Sequence, residues 1–162
     1  MKYRLLPAIA AAAFLAACST APQEDAGATG AGTGASAQTQ TGPAAGSVEE
    51  FMKVVGDRVF FGYDQYNLTP EAQSALRQQA AWLKRYGNHS VVLEGHADER
   101  GTREYNLALG ERRANSVREF LMSQGVEPTR LRVISYGKER PVCGDSAEGC
   151  WTQNRRGVTA LQ

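Results

Sequence analysis

Residues 19–46, STAPQEDAGATGAGTGASAQTQTGPAAG, contain no aromatic residue and no apolar residue larger than alanine. Such a segment buries too little surface to offset the entropy of ordering it. Any hydrophobic core must therefore come from residues 47–162, which is the length of one domain. The segment itself reads as a flexible tether, with a root-mean-square span of about 30 Å and a full extension of roughly 95 Å.

The residues before it read as a delivery signal. Lys2 and Arg4 precede an apolar run from Leu5 to Ala17, shorter than the roughly 20 residues that cross a bilayer and typical of a secretory leader. The run ends in Leu15-Ala16-Ala17-Cys18, which resembles the lipobox of bacterial lipoproteins. That resemblance implies cleavage after Ala17, lipidation of Cys18 and, because Ser19 rather than aspartate follows, export to the outer membrane. Stable attachment needs more than one acyl chain, and a lipoprotein anchor supplies three. The expected layout is a signal peptide over 1–17, a lipidated tether over 18–46 and a folded domain over 47–162.

Charge narrows the partners. The chain carries 18 basic and 17 acidic residues, and loss of Lys2 and Arg4 with the leader leaves 16 basic ones, a net charge of about −1. This balance argues against a nucleic-acid binder.

Within the domain, Ser47-Val48-Glu49-Glu50 has capping-box spacing and predicts a short helix to about Val55, with Val48, Phe51, Met52 and Val55 as its apolar face. RVFFGY (58–63) predicts a strand, followed by a turn at Asp64–Asn67. Thr69-Pro70 opens a helix over about 70–86 whose Ala72, Leu76, Ala80 and Leu83 recur at helical spacing, and Gly87-Asn88 ends it. A strand over 90–95 leads into a charged turn, then a helix from Thr102 to about Gln124 with Leu107, Ala114, Val117 and Leu121 as its apolar stripe. Strands over about 132–136 and 156–161 complete the set. The order is βαβαββ, an α/β layer or α+β sandwich with helices packed on a mixed four-stranded sheet. The last two strands lack a long intervening helix and are free to pair antiparallel.

Cys143 and Cys150 bracket the loop CGDSAEGC. In an exported chain these two cysteines are expected to form a disulfide, worth about 2–3 kcal/mol through the unfolded state. Their spacing fits common zinc sites poorly, and neither His89 nor His96 has a place beside them, so no metal is expected. No cofactor is implied. Catalysis has equally little support. There is no GxSxG elbow to supply a nucleophile to His96, and the adjacent carboxylates Asp98 and Glu99 point different ways on an extended turn. His96 reads as a structural residue at a strand end.

The turn and the helix after it are more informative. Asn106, Leu109 and Arg113 share one helical face, distinct from the apolar stripe, and Asp98 precedes that face by a few residues. A carboxylate that accepts from an ammonium and a guanidinium that grips a carboxylate would together select a zwitterion such as an amino-acid terminus. Spacing alone leaves open a solvated helix with an internal Asp98–Arg113 salt bridge.

GHADERGTREYNLALGERRA (95–114) resembles the signature of the outer-membrane-protein-A-like (OmpA-like) C-terminal domains, and among them the lipid-anchored, peptidoglycan-associated branch. The likeness extends to Val59–Asp64, to Val133–Pro141 and to Trp151–Arg156. It implies non-covalent binding of the peptidoglycan stem peptide through meso-diaminopimelate. Asp98 would hold the ligand's ammonium and Arg113 its carboxylate, with Asp64, Asn106 and Leu109 completing the pocket. Arg100 is a further contributor, and Arg155 and Asn154 carry over from the terminal NRR motif; Glu99, Arg103 and Arg112 are expected to be structural or partner-facing. The resemblance also implies the propeller protein TolB as a partner competing with peptidoglycan, within the Tol-Pal system that supports envelope integrity and constriction at division. The Cys143–Cys150 loop departs from the family pattern. Truncating Asp98 or Arg113 is accordingly expected to weaken pull-down on purified sacculi while leaving the fold intact, since loss of one partner of a buried charge pair costs about 2–5 kcal/mol of binding.

Overall fold

The structure, a computed structural model, describes residues 42–162. The leader, Cys18 and most of the expected tether lie outside the described residues. The first helix, α1 (Val48–Glu50), continues as a π-helical turn over Phe51–Val55. Ser47 caps it by accepting from Glu50 N at 3.1 Å. The return arm of the capping box differs from expectation, because the Glu50 carboxylate accepts from Gly46 N at 2.7 Å and from the Trp82 indole at 2.9 Å. Gly46 O also bonds His89. The end of the expected tether is therefore already held by the domain. Of the predicted apolar face only Phe51 is fully buried; Val48 and Met52 are exposed.

The strands are β1 (Arg58–Phe60), β2 (Val91–His96), β3 (Leu131–Gly137) and β4 (Arg156–Leu161), in spatial order β1-β4-β2-β3. β4 pairs antiparallel with both β1 and β2, while β2 and β3 are parallel. The last two strands thus do not pair with each other. β3 lies at the sheet edge, parallel to β2, and the helical crossover that such a parallel neighbour needs is supplied by α3 (Arg103–Ser123). The stretch between β3 and β4 also holds a helix unforeseen in the sequence, α4 (Glu148–Asn154).

Alternation along the strands decides the layers. Val59, Val91, Leu93 and Leu131 are buried against the helices, whereas Arg58, Phe60, Arg132 and Ile134 on the opposite face are exposed. α2 (Pro70–Arg85) forms where Thr69 accepts from Ala72 N and Pro70 sets the first turn, and its Ala72, Leu76, Ala80 and Leu83 all enter the core. Gln79 is buried among them, donating to Gly56 O and accepting from Thr159. Thr102 caps α3 and Gly125, at φ 88°, ends it. Among the described residues no helix is long and apolar enough to cross a membrane.

The buried residues of α3 form one stripe: Asn106, Leu109, Gly110, Arg113, Ala114, Val117 and Leu121. The polar face predicted as separate from the core stripe is its N-terminal half, and Leu107 is only half-buried. This stripe can approach the sheet closely because glycine faces glycine. A Cβ on Gly95 would lie 1.8 Å from Gly110 O, and one on Gly110 would lie 2.4 Å from Ser135 Oγ. Backbone therefore packs on backbone where α3 crosses β2. Gly110→Ala is expected to lever the helix off the sheet and lower stability by about 2–3 kcal/mol; a urea-unfolding midpoint equal to that of the native chain would contradict this contact.

Candidate functional site

Three chain segments meet at the carboxyl end of β2: the β1–α2 loop, the turn after β2 and the start of α3. Between them lies a pocket of about 130 Å³ lined by Asp64, Asp98, Arg100, Asn106, Leu109 and Arg113, together with Tyr63, Gly101 and Tyr105. The first six are the residues singled out in the sequence.

Arg113 is wholly buried, yet its guanidinium is satisfied. Nε donates to Gln65 O at 2.8 Å, Nη1 to His96 O at 2.7 Å and Nη2 to Gly62 O at 3.1 Å. Three of its five N–H groups are so committed, leaving two free to serve a ligand. Burial pushes its pKa down to about 10, so it stays charged at neutral pH. No Asp98–Arg113 salt bridge forms among the described residues. Arg113 is also a structural tie between α3 and these carbonyls, so its truncation is now expected to destabilise the fold as well as the site. The short hydrophobic spacing around it gave no sign that three carbonyls converge there.

Asp98, also buried, is engaged on both oxygens. Oδ1 accepts from Arg100 N at 3.1 Å and Arg100 Nε at 3.2 Å; Oδ2 accepts from Arg100 Nη2 at 2.5 Å and Arg155 Nη1 at 3.4 Å. Burial works against the charge of this carboxyl, but the hydrogen bonds and charge of Arg100, with the bond from Arg155, outweigh it and hold the pKa below its ordinary value. Asp98 is ionised at neutral pH.

The other residues divide by role. Asn106 donates to Arg100 O at 2.8 Å and Thr102 O at 3.0 Å, bracing the turn that carries Arg100. Leu109 is a buried apolar wall. Asp64 is exposed at the rim in a left-handed conformation, φ 55°, which aspartate tolerates, and accepts from the Tyr105 hydroxyl. Arg155 is buried, bonded to Phe61 O as well as to Asp98. Asn154 does not reach the pocket; its side chain bonds Val142 N, Cys143 N and Cys143 O. His96 is buried beside Tyr136, and burial with the charges of Arg156, Arg140 and Arg58 lowers its pKa to about 4. It is neutral and structural. Glu99 accepts from the Trp151 indole, Arg103 pairs with Glu139, and Arg112 lies over Tyr66.

Tyr63, Gly101, Tyr105 and the α4 residues Glu148 and Trp151 went unforeseen. Tyr105 sits three residues after the Thr102 cap, so its exposure at the pocket follows from helix phase. Trp151 lies far from the turn in sequence and carries no local signal. Cys143 and Cys150 are joined by a disulfide, with Cα atoms 5.0 Å apart.

The family profile of OmpA matches residues 60–155, which include every residue of the pocket. The protein of Brucella melitensis named peptidoglycan-associated lipoprotein is 55% identical over 130 residues, covering 80% of this chain and 74% of that one. Its namesake in Rhizobium meliloti is 50% identical over 147 residues, covering 91% and 81%. The crystal structure of the peptidoglycan-associated lipoprotein from Burkholderia pseudomallei matches with a TM-score of 0.66 at 38% identity, over 68% of this chain and 96% of that one. With the profile spanning most of the domain and relatives this similar over most of their length, the chain belongs to the OmpA family, alongside the proteins named peptidoglycan-associated lipoprotein.

Proposed function

We propose that the chain is an outer-membrane lipoprotein, anchored through Cys18 and its tether, whose domain binds peptidoglycan non-covalently and joins the two layers. The observation that carries this reading is the pocket's charge inventory. Asp98, held ionised by its arginine partners, and Asp64 share a small volume with the guanidinium groups of Arg100 and Arg113 and an apolar wall at Leu109. Such a site suits the zwitterionic end of diaminopimelate in the stem peptide. The ammonium goes to Asp98, and the carboxylate takes the uncommitted N–H groups of Arg113 with help from Arg100. Because the acceptor positions of Asp98 are already filled, an arriving ammonium exchanges with one of the present donors. Relatives named for association with peptidoglycan support this reading. No catalysis is involved. Partnership with TolB and the other Tol proteins, in competition with the wall, belongs to the same proposal and rests on the family likeness.

Titration of a diaminopimelate-containing muropeptide into the chain tests the site. Asp98→Asn is expected to cost about 2 kcal/mol or more of binding, roughly thirtyfold in affinity. An unchanged dissociation constant would remove Asp98 from the site, and no heat from the native chain would sink the reading itself. Arg113→Ala is expected to behave differently, unfolding at much lower denaturant because three carbonyls lose their donor and a cavity opens, a cost of about 3–5 kcal/mol. Native-like stability in that variant would contradict the tie described above.

A further inference from the structure

The guanidinium of Arg100 lies between two aromatic rings, 4.2 Å from the centroid of Tyr63 and 4.1 Å from that of Trp151. Its side chain is 31% exposed, and an ion pair at that exposure does little by itself to hold a long, flexible arginine. Two aromatic faces add cation–π attraction and keep water from the charged pair. Tyr63 is itself largely exposed on a loop. Trp151 is the better fixed of the two, half-buried, with its indole N–H donated to Glu99 Oε1 at 3.0 Å.

What fixes Trp151 is the helix that carries it. α4 is seven residues long and has no side-chain cap at its start, too short to persist unaided. It is held from outside. The disulfide ties Cys150, the residue before Trp151, to Cys143, and Asn154 makes three hydrogen bonds to the same loop. Glu148, on the same helix, accepts from Arg155 at 2.7 Å and lies 3.9 Å from Arg100. The contacts run in series from the disulfide through α4 and Trp151 to Arg100 and Asp98.

We infer that Trp151 is a positioning residue for the pocket: it holds Arg100 flat against Asp98, and the disulfide-closed loop gives it the fixed base to do so. This inference rests on the pocket being the ligand site proposed above. It assigns a task to the cysteine loop.

The test is titration of the same muropeptide into the purified full chain. Trp151→Ala is expected to weaken binding about tenfold, Trp151→Phe to restore most of it, and Trp151→Ala combined with Arg100→Ala to bind no worse than Arg100→Ala alone. The Arg100 Nε–H resonance is expected to move toward that of a solvent-exposed arginine in Trp151→Ala, a change that a merely structural tryptophan would not produce; an unmoved resonance would overturn the positioning role. Cys143→Ser/Cys150→Ser should shift affinity in the same direction by a smaller factor; an unchanged value would overturn the part given to the loop. Native affinity in Trp151→Ala, or losses that add in the double variant, would overturn the part given to Trp151. If Asp98→Asn and Arg100→Ala also bind like the native chain, the pocket reading falls and this one with it; if those two lose binding and Trp151→Ala does not, this one alone falls.

Discussion

A charged side chain with no solvent exposure sits at the centre of this domain. Removing a guanidinium from water is tolerable only where hydrogen bonds replace its hydration, and Arg113 finds three carbonyl oxygens, from Gly62, Gln65 and His96. Those carbonyls belong to the β1–α2 loop and to the end of β2, so one residue of α3 gathers the segments that form the pocket. The arrangement is self-supporting. The loop satisfies the arginine, the arginine fixes the loop, and the same arginine lines the cavity.

Asp98 stands in a similar relation to its neighbours. It is buried and ionised because Arg100 and Arg155 supply what water no longer does. The pocket thus holds charges stabilised by protein groups, Asp98 by arginines and Arg113 by backbone carbonyls, which is the arrangement that the proposed zwitterionic ligand would meet. Preorganisation of this kind would lower the cost of binding the proposed ligand, since few side chains would remain to be ordered. The close crossing of α3 over β2 depends on Gly110 and Gly95, because any side chain at either position would hold the helix away.

Much of the scaffold could be read from local patterns. Thr69-Pro70, Thr102 and Gly125 mark helix ends by capping chemistry that acts within a few residues, and the observed bounds of α2 and α3 follow them closely. The expected strands over 90–95 and 156–161 likewise fall within a residue or so of β2 and β4. α4 escaped notice because seven residues held by a disulfide and an asparagine have no apolar period to detect. The sheet order escaped for a different reason: β4 enters between β1 and β2, a pairing that depends on three segments distant in sequence.

The candidate site divides along the same line. Residue types and spacing, with the family likeness, determined which residues belong together, and all six expected members line one pocket. Roles were decided by tertiary structure. Spacing suggested that Arg113 either pairs with Asp98 or waits for a ligand, whereas the fold buries it under three backbone carbonyls. Nor could spacing show that Asp98 is saturated by Arg100 and Arg155, or that Trp151 closes over Arg100. The physical reason is that periodicity reports which face a residue occupies, while the charge state and hydrogen-bond partners of a buried group depend on segments that only the folded chain brings within 3 Å.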